Sequence, residues 1–190
     1  MLPELNIIPL IGVILAFLIG SIPTGYLLNK YFGHGDIRKV GSGNIGATNV
    51  LRHSGKLLGL LTLLIDFGKG FAALVYINYQ FPDEIITIGS SVVLGHIFSP
   101  WLKFKGGKGV ATSFGILFAL DPRIGFSLLA IWLLVFIIFR VSATSALAAF
   151  FLLPFFVAFF LGDNFITILA VTNSLFIYLK HINGFAQLKN

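Results

Sequence analysis

Cysteine is absent from the 190-residue chain, and charged residues are few. The lack of cysteine excludes disulfide frameworks, thiolate nucleophiles and cysteine metal ligands. Charged side chains make up 11% of the residues, against about 25% in soluble domains, whereas 57% of the residues are hydrophobic. So little charge does not cover a surface that water must solvate. The composition therefore excludes an ordinary soluble enzyme and indicates an integral membrane protein.

Acidic residues are scarcer than basic ones, 7 against 13, which gives a net charge of +6. In a soluble protein this excess of positive charge would suggest nucleic acid as a binding partner. In a membrane protein Lys and Arg concentrate on the cytoplasmic side of spanning helices, so the excess reports orientation first. We therefore expect no nucleic-acid partner.

Long apolar runs divide the chain into about seven candidate transmembrane helices. A spanning helix needs about 20 mostly apolar residues. The runs lie at 5–29, 57–81, 85–102, 110–120, 124–139, 141–161 and 165–179. The fourth run would extend only about 16 Å as a helix, so a half-helix or re-entrant segment is an alternative to a full span. We see no repeat or linker and expect one all-α integral membrane domain, 1–190.

The basic residues alternate between the two sides of this predicted topology. With the N-terminus outside, the inner loops hold 11 of the 13 basic residues, namely Lys30, Arg38, Lys39, Arg52, Lys56, Lys103, Lys105, Lys108, Arg140, Lys180 and Lys189. Arg123 falls outside, and Lys69 lies within a run. This separation predicts an outside N-terminus and a cytoplasmic C-terminus. The long polar stretches share the basic side, so we expect the functional site, with short or half-helices, at the cytoplasmic face.

The first polar stretch, 39–52, reads KVGSGNIGATNVLR. Glycines let backbone N–H groups approach an anion, hydroxyls donate hydrogen bonds, and arginine clamps phosphate. No strand precedes its G-x-G-x-x-G spelling, so we reject a dinucleotide site. The alternative is a glycine-rich turn that closes two helices.

The second polar stretch, 103–112, reads KFKGGKGVAT. Three lysines threaded by glycines at the start of a predicted helix form an anion site. Gly109 stands where a Walker loop needs Ser or Thr, so this is not a nucleotide loop. The alternative is a basic anchor for lipid headgroups, although an anchor needs no glycines.

Charged and titratable residues also interrupt the apolar runs. Asp66 and Lys69 are three apart and share a helix face, and charges in hydrocarbon persist only when paired or facing a cavity. A structural ion pair is at least as compatible with this spacing as a catalytic one. His96 can serve as acid, base or phosphate ligand, or it can tie helices together. His181, directly after Lys180, can complete the same cytoplasmic cluster.

Three blocks at 41–52, 66–70 and 95–112, in this order, resemble the acyl-phosphate-dependent glycerol-3-phosphate acyltransferases of bacteria, the PlsY family. The resemblance covers almost the whole chain. It implies transfer of a fatty acyl group from acyl phosphate to the 1-hydroxyl of glycerol 3-phosphate, giving lysophosphatidate and phosphate, at the start of phospholipid synthesis in the inner membrane. It implies no cofactor, no metal and no required protein partner; the partners are the two substrates and membrane lipid.

The resemblance also implies site residues. The expected substrate-binding set is Ser42, Gly43, Asn44, Gly46, Ala47, Thr48, Asn49, Arg52, Lys69, His181 and Asn183. The expected catalytic set is His96, Lys105, Gly106, Gly107 and Lys108, with backbone donors of the glycine loop stabilising an oxyanion or the departing phosphate. The proton acceptor is either His96 or a substrate phosphate. Residues 181–188, HINGFAQL, depart from the family's His-x-x-Asn-Ile-x-Arg-Leu, with Gln187 at the arginine position.

Two other functions compete with this interpretation. A transporter or channel for organic phosphate anions is the main alternative, supported by Asp66 and Lys69. A structural membrane protein with lipid-binding loops does not explain the ordered glycines and carboxamides. Acyl phosphate is already activated, so its use agrees with a chain that lacks a thiol nucleophile. None of the four histidines is followed five residues later by Asp, which excludes the H-x-x-x-x-D mechanism of thioester-dependent acyltransferases.

Overall fold

The computed structural model describes residues 7–80 and 85–187, and the regular structure in these residues is entirely helical. The α-helices in this part of the chain are α1 (Ile7–Ser21), α2 (Thr24–Tyr31), α3 (Ala47–Ser54), α4 (Lys56–Gln80), α5 (Ile85–Ile97), α6 (Val110–Leu120), α7 (Pro122–Phe139), α8 (Ser142–Leu161) and α9 (Asn164–Gln187). Short 3-10 turns at Ile37–Lys39 and Pro100–Leu102 lie in the connecting loops. The predicted all-α fold is confirmed.

Four of the described helices are long and apolar enough to cross a membrane. Their spanning parts are Lys56–Tyr76, Pro122–Phe139, Ser142–Leu161 and Asn164–Ile182. Helices α1 and α2 pass the same test as a pair but are bent by 42°. Pro23 lies at the bend, where its missing N–H and fixed φ interrupt the helical hydrogen bonds. The predicted uninterrupted run 5–29 is therefore a broken helix.

Helices α5 and α6 are too short to cross a bilayer alone. Their 13 and 11 residues correspond to about 20 and 16 Å, against a hydrocarbon thickness of about 30 Å. The predicted half-helix at 110–120 matches α6. The predicted run 85–102 is too long, because α5 ends at Ile97 and a 3-10 turn begins at Pro100. Residues 98–109 connect α5 to α6, and we call this segment the glycine loop; Ser99, Leu102, Gly107 and Gly109 are buried, whereas 100–101 and 103–105 are exposed.

The end of the chain also differs from the prediction. The last run was expected to end at residue 179, but α9 continues to Gln187. Lys180 and His181 therefore lie on the final turns of a helix rather than in a tail. Helix geometry fixes the direction of both side chains relative to α5 and the glycine loop.

Glycines bring two pairs of helices into backbone contact. Helix α1 packs on α5, and α4 packs on α6. A Cβ added at any of four glycines would lie 2.0 to 2.2 Å from a backbone oxygen of the partner helix. These are Gly20 and Gly95 in the first pair and Gly70 and Gly115 in the second. Small residues at crossings are typical of membrane helices, whose association relies on close packing because lipid provides no hydrophobic drive.

Two of the hydrophobic clusters connect separate segments of the chain. The larger one joins α6 to α9 and includes Phe114, Phe150 and Ile177. A smaller cluster consists of Ile37, Ile45, Val50, Leu58 and Leu102. Because Leu102 belongs to the glycine loop and the others lie on α3 or beside it, this small cluster holds the two predicted polar motifs at one end of the bundle.

Candidate active site

Asn49 organises the loop that precedes α3. Its side chain is 4% exposed, and its Nδ2 donates to the carbonyl oxygens of Ile37, Val40 and Asn44 at 3.2, 3.1 and 2.9 Å. Its Oδ1 accepts from the N–H of Ser42 at 3.1 Å. One carboxamide therefore satisfies both sides of the loop, since it combines two donors with an acceptor. Asn49 therefore fixes the backbone of the loop that precedes α3.

The same carboxamide explains one of the glycines. Gly41 has φ +57°, in the left-handed region, and an added Cβ would lie 2.3 Å from Asn49 Oδ1. Ser42 is exposed in this loop, and Arg52 is exposed on α3. The motif thus has a buried half that fixes the backbone and an exposed half that carries Ser42 and Arg52, the side chains predicted to bind phosphate.

Helix α3 is also tied to the far side of the bundle. The hydroxyls of Thr48 and Ser142 are hydrogen-bonded at 3.2 Å, which connects the first turn of α3 to the first turn of α8. Gly46 caps the helix with an extended backbone, and its carbonyl accepts from Asn49 N–H at 3.1 Å. Gly43, Asn44 and Ala47 are half-buried beside it.

The glycine loop folds back onto the end of α5. The N–H of Gly107 donates to the carbonyl of His96 at 2.9 Å, and the N–H of Gly106 donates to that of Ile97 at 3.1 Å. These bonds satisfy carbonyls that the helix end leaves without partners. They also correct one expectation: the two amides are already paired, so in this arrangement they are not oxyanion donors. The side chains of Lys105 and Lys108 stay as the candidate positive groups of the loop.

Lys180 secures the same turn from α9. Its Nζ donates to the carbonyl of Ile97 at 3.2 Å and lies 4.8 Å from the ring centroid of Phe98. A cation at a helix C-terminus is favourable because the carbonyl dipoles point toward it. In the sequence, Lys180 indicated only the orientation of the chain in the membrane. Its position directly before His181 was the sequence feature that could have indicated a place at the site.

Lys108 and His181 come together beside the loop. Lys108 is partly buried, and burial lowers the pKa of its ammonium group. Its charge acts on His181, which is 2% exposed. His181 Nδ1 lies 2.8 Å from the carbonyl oxygen of Ile177, and since a carbonyl only accepts, Nδ1 carries the hydrogen. The position available for other contacts on this ring is Nε2.

A buried trio of charged and titratable side chains lies beneath the loop. Lys69 Nζ is 2.9 Å from Asp66 Oδ1 and 2.8 Å from His96 Nδ1, and it donates to the carbonyl of Ile22 at 3.2 Å. The predicted ion pair on α4 is therefore present. Lys69 thus has hydrogen bonds to His96 and Ile22, whereas Asp66 Oδ1 is its ion-pair partner and lies 3.6 Å from His96 Nδ1. Substrate binding by Lys69 stays a prediction, and it would require exchange of one of these contacts.

His96 is held between Lys69 and the glycine loop. Because an ammonium donates to Nδ1, a neutral His96 ring carries its hydrogen on Nε2. Nε2 faces Gly107, where an added Cβ would lie 2.0 Å away. In this arrangement the Nδ1 lone pair is used by Lys69, so it does not present a basic nitrogen to a substrate.

The structure thus assembles most of the predicted site at one end of the bundle. One group contains His96, Gly107, Lys108 and His181, and the other lies around Asn49 on α3. The contact of Ser142 with Thr48 was not predicted, since Ser142 lies at the start of the apolar run 141–161. Asn183 lies in α9, but its side chain is outside the described residues. The described residues contain no group of three or more His, Cys, Asp or Glu placed to hold a metal ion.

Comparison with known proteins decides the family. The family described as Glycerol-3-phosphate acyltransferase matches residues 10–190. This chain belongs to that family. The acyltransferase relative from Pelagibacter ubique is 41% identical over 181 residues, covering 95% of this chain and 94% of the relative. The relative from Caulobacter vibrioides is 43% identical over 187 residues, covering 94% of this chain and 83% of the relative.

Solved structures of the glycerol-3-phosphate acyltransferase family agree with the fold. The chain is similar to crystal structures of PlsY (YgiH), described as an integral membrane glycerol 3-phosphate acyltransferase. Its glycerol 3-phosphate form matches with a TM-score of 0.89 at 34% identity, covering 95% of this chain and 91% of that one. The lysophosphatidic acid form matches with a TM-score of 0.85 at 32% identity. The predicted family and the multi-pass membrane fold are confirmed.

Proposed function

We propose that this chain transfers a fatty acyl group from acyl phosphate to the 1-hydroxyl of glycerol 3-phosphate, at the cytoplasmic face of the bacterial inner membrane. The products are lysophosphatidate and phosphate. The observation that carries the proposal is the electrostatic interaction of Lys108 with His181 beside the glycine loop, on the end of the bundle that also exposes Ser42 and Arg52. Relatives named for glycerol 3-phosphate acylation support the acceptor.

The chain's own chemistry supports an activated donor. The hydroxyl oxygen of glycerol 3-phosphate attacks the acyl carbonyl carbon, the bond from that carbon to the phosphate oxygen breaks, and phosphate leaves with the electron pair. No protein nucleophile is needed, in agreement with the absence of cysteine. Positioning and charge neutralisation supply the catalysis.

The phosphate of glycerol 3-phosphate is held by Ser42, Arg52, Lys108 and His181. Arg52 provides a bidentate fork and Lys108 a partly desolvated charge, which attracts an anion more strongly than a charge in water does. His181 binds through Nε2, because Nδ1 is committed to Ile177. Gly43, Asn44, Gly46, Ala47, Thr48 and Asn49 form the wall on the acyl-phosphate side.

The hydroxyl proton passes to a phosphate oxygen of the substrate. His96 is the other candidate acceptor, but its Nδ1 already accepts from Lys69 and its Nε2 carries the hydrogen. The group that leaves as phosphate is basic enough to take the proton as the new ester bond forms. In this scheme Lys105 and Lys108 neutralise the charge that develops on the donor.

The bundle also contains an apolar cavity of about 240 Å³, whose lining residues are separate from those of the site. It lies among α4, α5, α6, α8 and α9, and its lining includes Leu94, Leu117 and Ala170. Phe176, one of its lining residues, is five positions before His181 on α9. The apolar lining suits an aliphatic chain such as the acyl group of the proposed donor.

The decisive experiment incubates the purified protein with glycerol 3-phosphate and palmitoyl phosphate, with palmitoyl-CoA and the acyl carrier protein thioester in parallel. Lysophosphatidate and inorganic phosphate are expected only with palmitoyl phosphate. Product formed only from the thioesters overturns the donor assignment. For the acceptor, Lys108→Ala should raise the KM for glycerol 3-phosphate, and near-normal turnover at low glycerol 3-phosphate contradicts the assigned role.

The cytoplasmic placement has its own test, because the natural chain lacks cysteine. His34 is exposed in the loop after α2, so His34→Cys offers a single thiol. A membrane-impermeant maleimide should label this thiol in inside-out vesicles and not in intact cells. Labelling of intact cells places the site on the opposite face.

The transporter alternative has lost its support. It rested on Asp66 and Lys69 as ionisable residues along a pathway. Their side chains are 3% and 6% exposed and pair with each other and with His96, so they do not line a water-filled route.

A further inference from the structure

Lys69 connects three separate parts of the chain at one point. Asp66 is one turn earlier on α4, His96 is on the last turn of α5, and the Ile22 carbonyl lies at the bend between α1 and α2. The ammonium group is hydrogen-bonded to His96 and Ile22, and the Asp66 carboxylate provides its counter-charge. Its contacts are therefore typical of a group that holds its neighbours in place.

The contacts continue from His96 to the glycine loop. The carbonyl of His96 receives the N–H of Gly107, and the Nε2 edge of the ring fills the space that a Cβ of Gly107 would occupy. Gly107 is thus held by both the backbone and the ring of His96. Lys108 is the next residue, so the orientation of the His96 ring sets the position of Lys108.

We propose that Lys69 is a positioning residue: through His96 it holds the glycine loop so that Lys108 faces the substrate phosphate. The inference rests on the proposed function for its kinetic consequence. It replaces direct substrate binding by Lys69 with an indirect effect. A charge inside the membrane is costly, and here the retained cation has a use beyond helix packing.

The design of the variants must allow for the partner charge. Lys69→Met alone leaves the Asp66 carboxylate buried without its cation, which destabilises the fold for reasons unrelated to the loop. The double variant Asp66→Asn/Lys69→Met removes both charges together and keeps similar volumes. Thr62→Val is the matched control, because Thr62 is buried on the same helix and its hydroxyl bonds only one turn back, to Leu58.

The kinetic arm is a double-mutant cycle with His96→Gln, measured with palmitoyl phosphate and glycerol 3-phosphate. A displacement of the loop by about 1 Å should lower kcat/KM on the order of 100-fold in the charge-free double variant. Adding His96→Gln should cause less than a threefold further loss, because both changes break the same chain of contacts. Thr62→Val should stay within twofold of the wild type. Losses that multiply would show that Lys69 acts independently of His96 and would overturn the inference.

The second arm needs no turnover. Nitrogen-15 NMR of histidine-labelled protein should show His96 with its hydrogen on Nε2 in the wild type, and this signature should change in Asp66→Asn/Lys69→Met but not in Thr62→Val. The affinity for inorganic phosphate should fall in the same variant. A wild-type ring protonated on Nδ1, or a folded charge-free variant with unchanged His96 shifts and phosphate affinity, refutes the inference. If palmitoyl phosphate is not used at all, the proposed function fails while this arm still decides the role of Lys69.

Discussion

Gly107→Ala is the sharpest perturbation of the site that a single methyl group can make. The added Cβ would lie 2.0 Å from His96 Nε2 and 2.9 Å from two ring carbons. Ordinary contacts begin near 3.4 Å, so the two groups must separate by about 1.4 Å. The ring cannot retreat easily, because its Nδ1 is held by Lys69 and the residue is only 5% exposed. The loop must therefore move and carry Lys108 with it.

A displacement of this size has a predictable kinetic cost. Misplacement of a binding group by about 1 Å lowers the rate on the order of 100-fold, which corresponds to about 2.7 kcal/mol of lost transition-state stabilisation. Overpacking also destabilises a fold by about 1–3 kcal/mol, so Tm should fall as well. The assay is kcat/KM for glycerol 3-phosphate, measured as phosphate release from palmitoyl phosphate, on protein whose folded state is checked by its melting curve.

The control is Gly68→Ala on α4. No atom lies within 4 Å of a Cβ at Gly68, so the methyl group enters open space. Alanine is favoured over glycine inside a helix by roughly 0.5–1 kcal/mol, so Tm should stay the same or rise, and kcat/KM should not change. A folded Gly107→Ala protein with kcat/KM within threefold of the wild type would refute the argument that the loop rests on His96.

Three further outcomes follow from the geometry. Asn49→Asp should impair folding at least as much as Asn49→Ala, seen as a lower Tm, because it would turn a donor to three carbonyl oxygens into a carboxylate that faces them. Because burial lowers the pKa of Lys108 below its ordinary 10.5, its charge is lost at lower pH than that of an exposed lysine, so kcat/KM should fall on the alkaline side and Lys108→Arg should move that fall to higher pH. Gly70→Ala should lower Tm while Gly68→Ala does not, since its Cβ would lie 2.2 Å from the Thr112 carbonyl oxygen.

Local composition predicts the bounds of three helices well. Helices α6, α7 and α8 begin and end within two residues of the apolar runs. The end of α5 was predicted five residues too late, because apolar sequence continues to Leu102. The helix ends where residues of the glycine loop, ten positions along the chain, bond to its last carbonyls. Such a contact depends on the folded loop and has no local signature.

The candidate site also combines contacts that local sequence predicts with contacts that depend on the fold. The spacing of Asp66 and Lys69 predicted their pairing, because residues three apart meet on any helix. Their contact with His96 depends on how α4 and α5 cross, which glycine packing decides. The glycines at 106–107 were singled out as backbone donors, whereas in the structure they pack against His96. Sequence indicates which residues are unusual, and the fold decides which of their atoms are used.

The bend at Pro23 bears on how the chain enters the membrane. Asp66 and Lys69 are on the same helix, so α4 enters the bilayer with the counter-ion of its lysine. An unpaired lysine at a helix centre costs about 2.5–3.5 kcal/mol during insertion, and this intrahelical partner reduces that cost. The other two acceptors arrive only when α1 and α5 dock, and one of them is the Ile22 carbonyl at the break in α1–α2. The buried cation therefore has all of its contacts only when α4, α5 and the break between α1 and α2 are packed together.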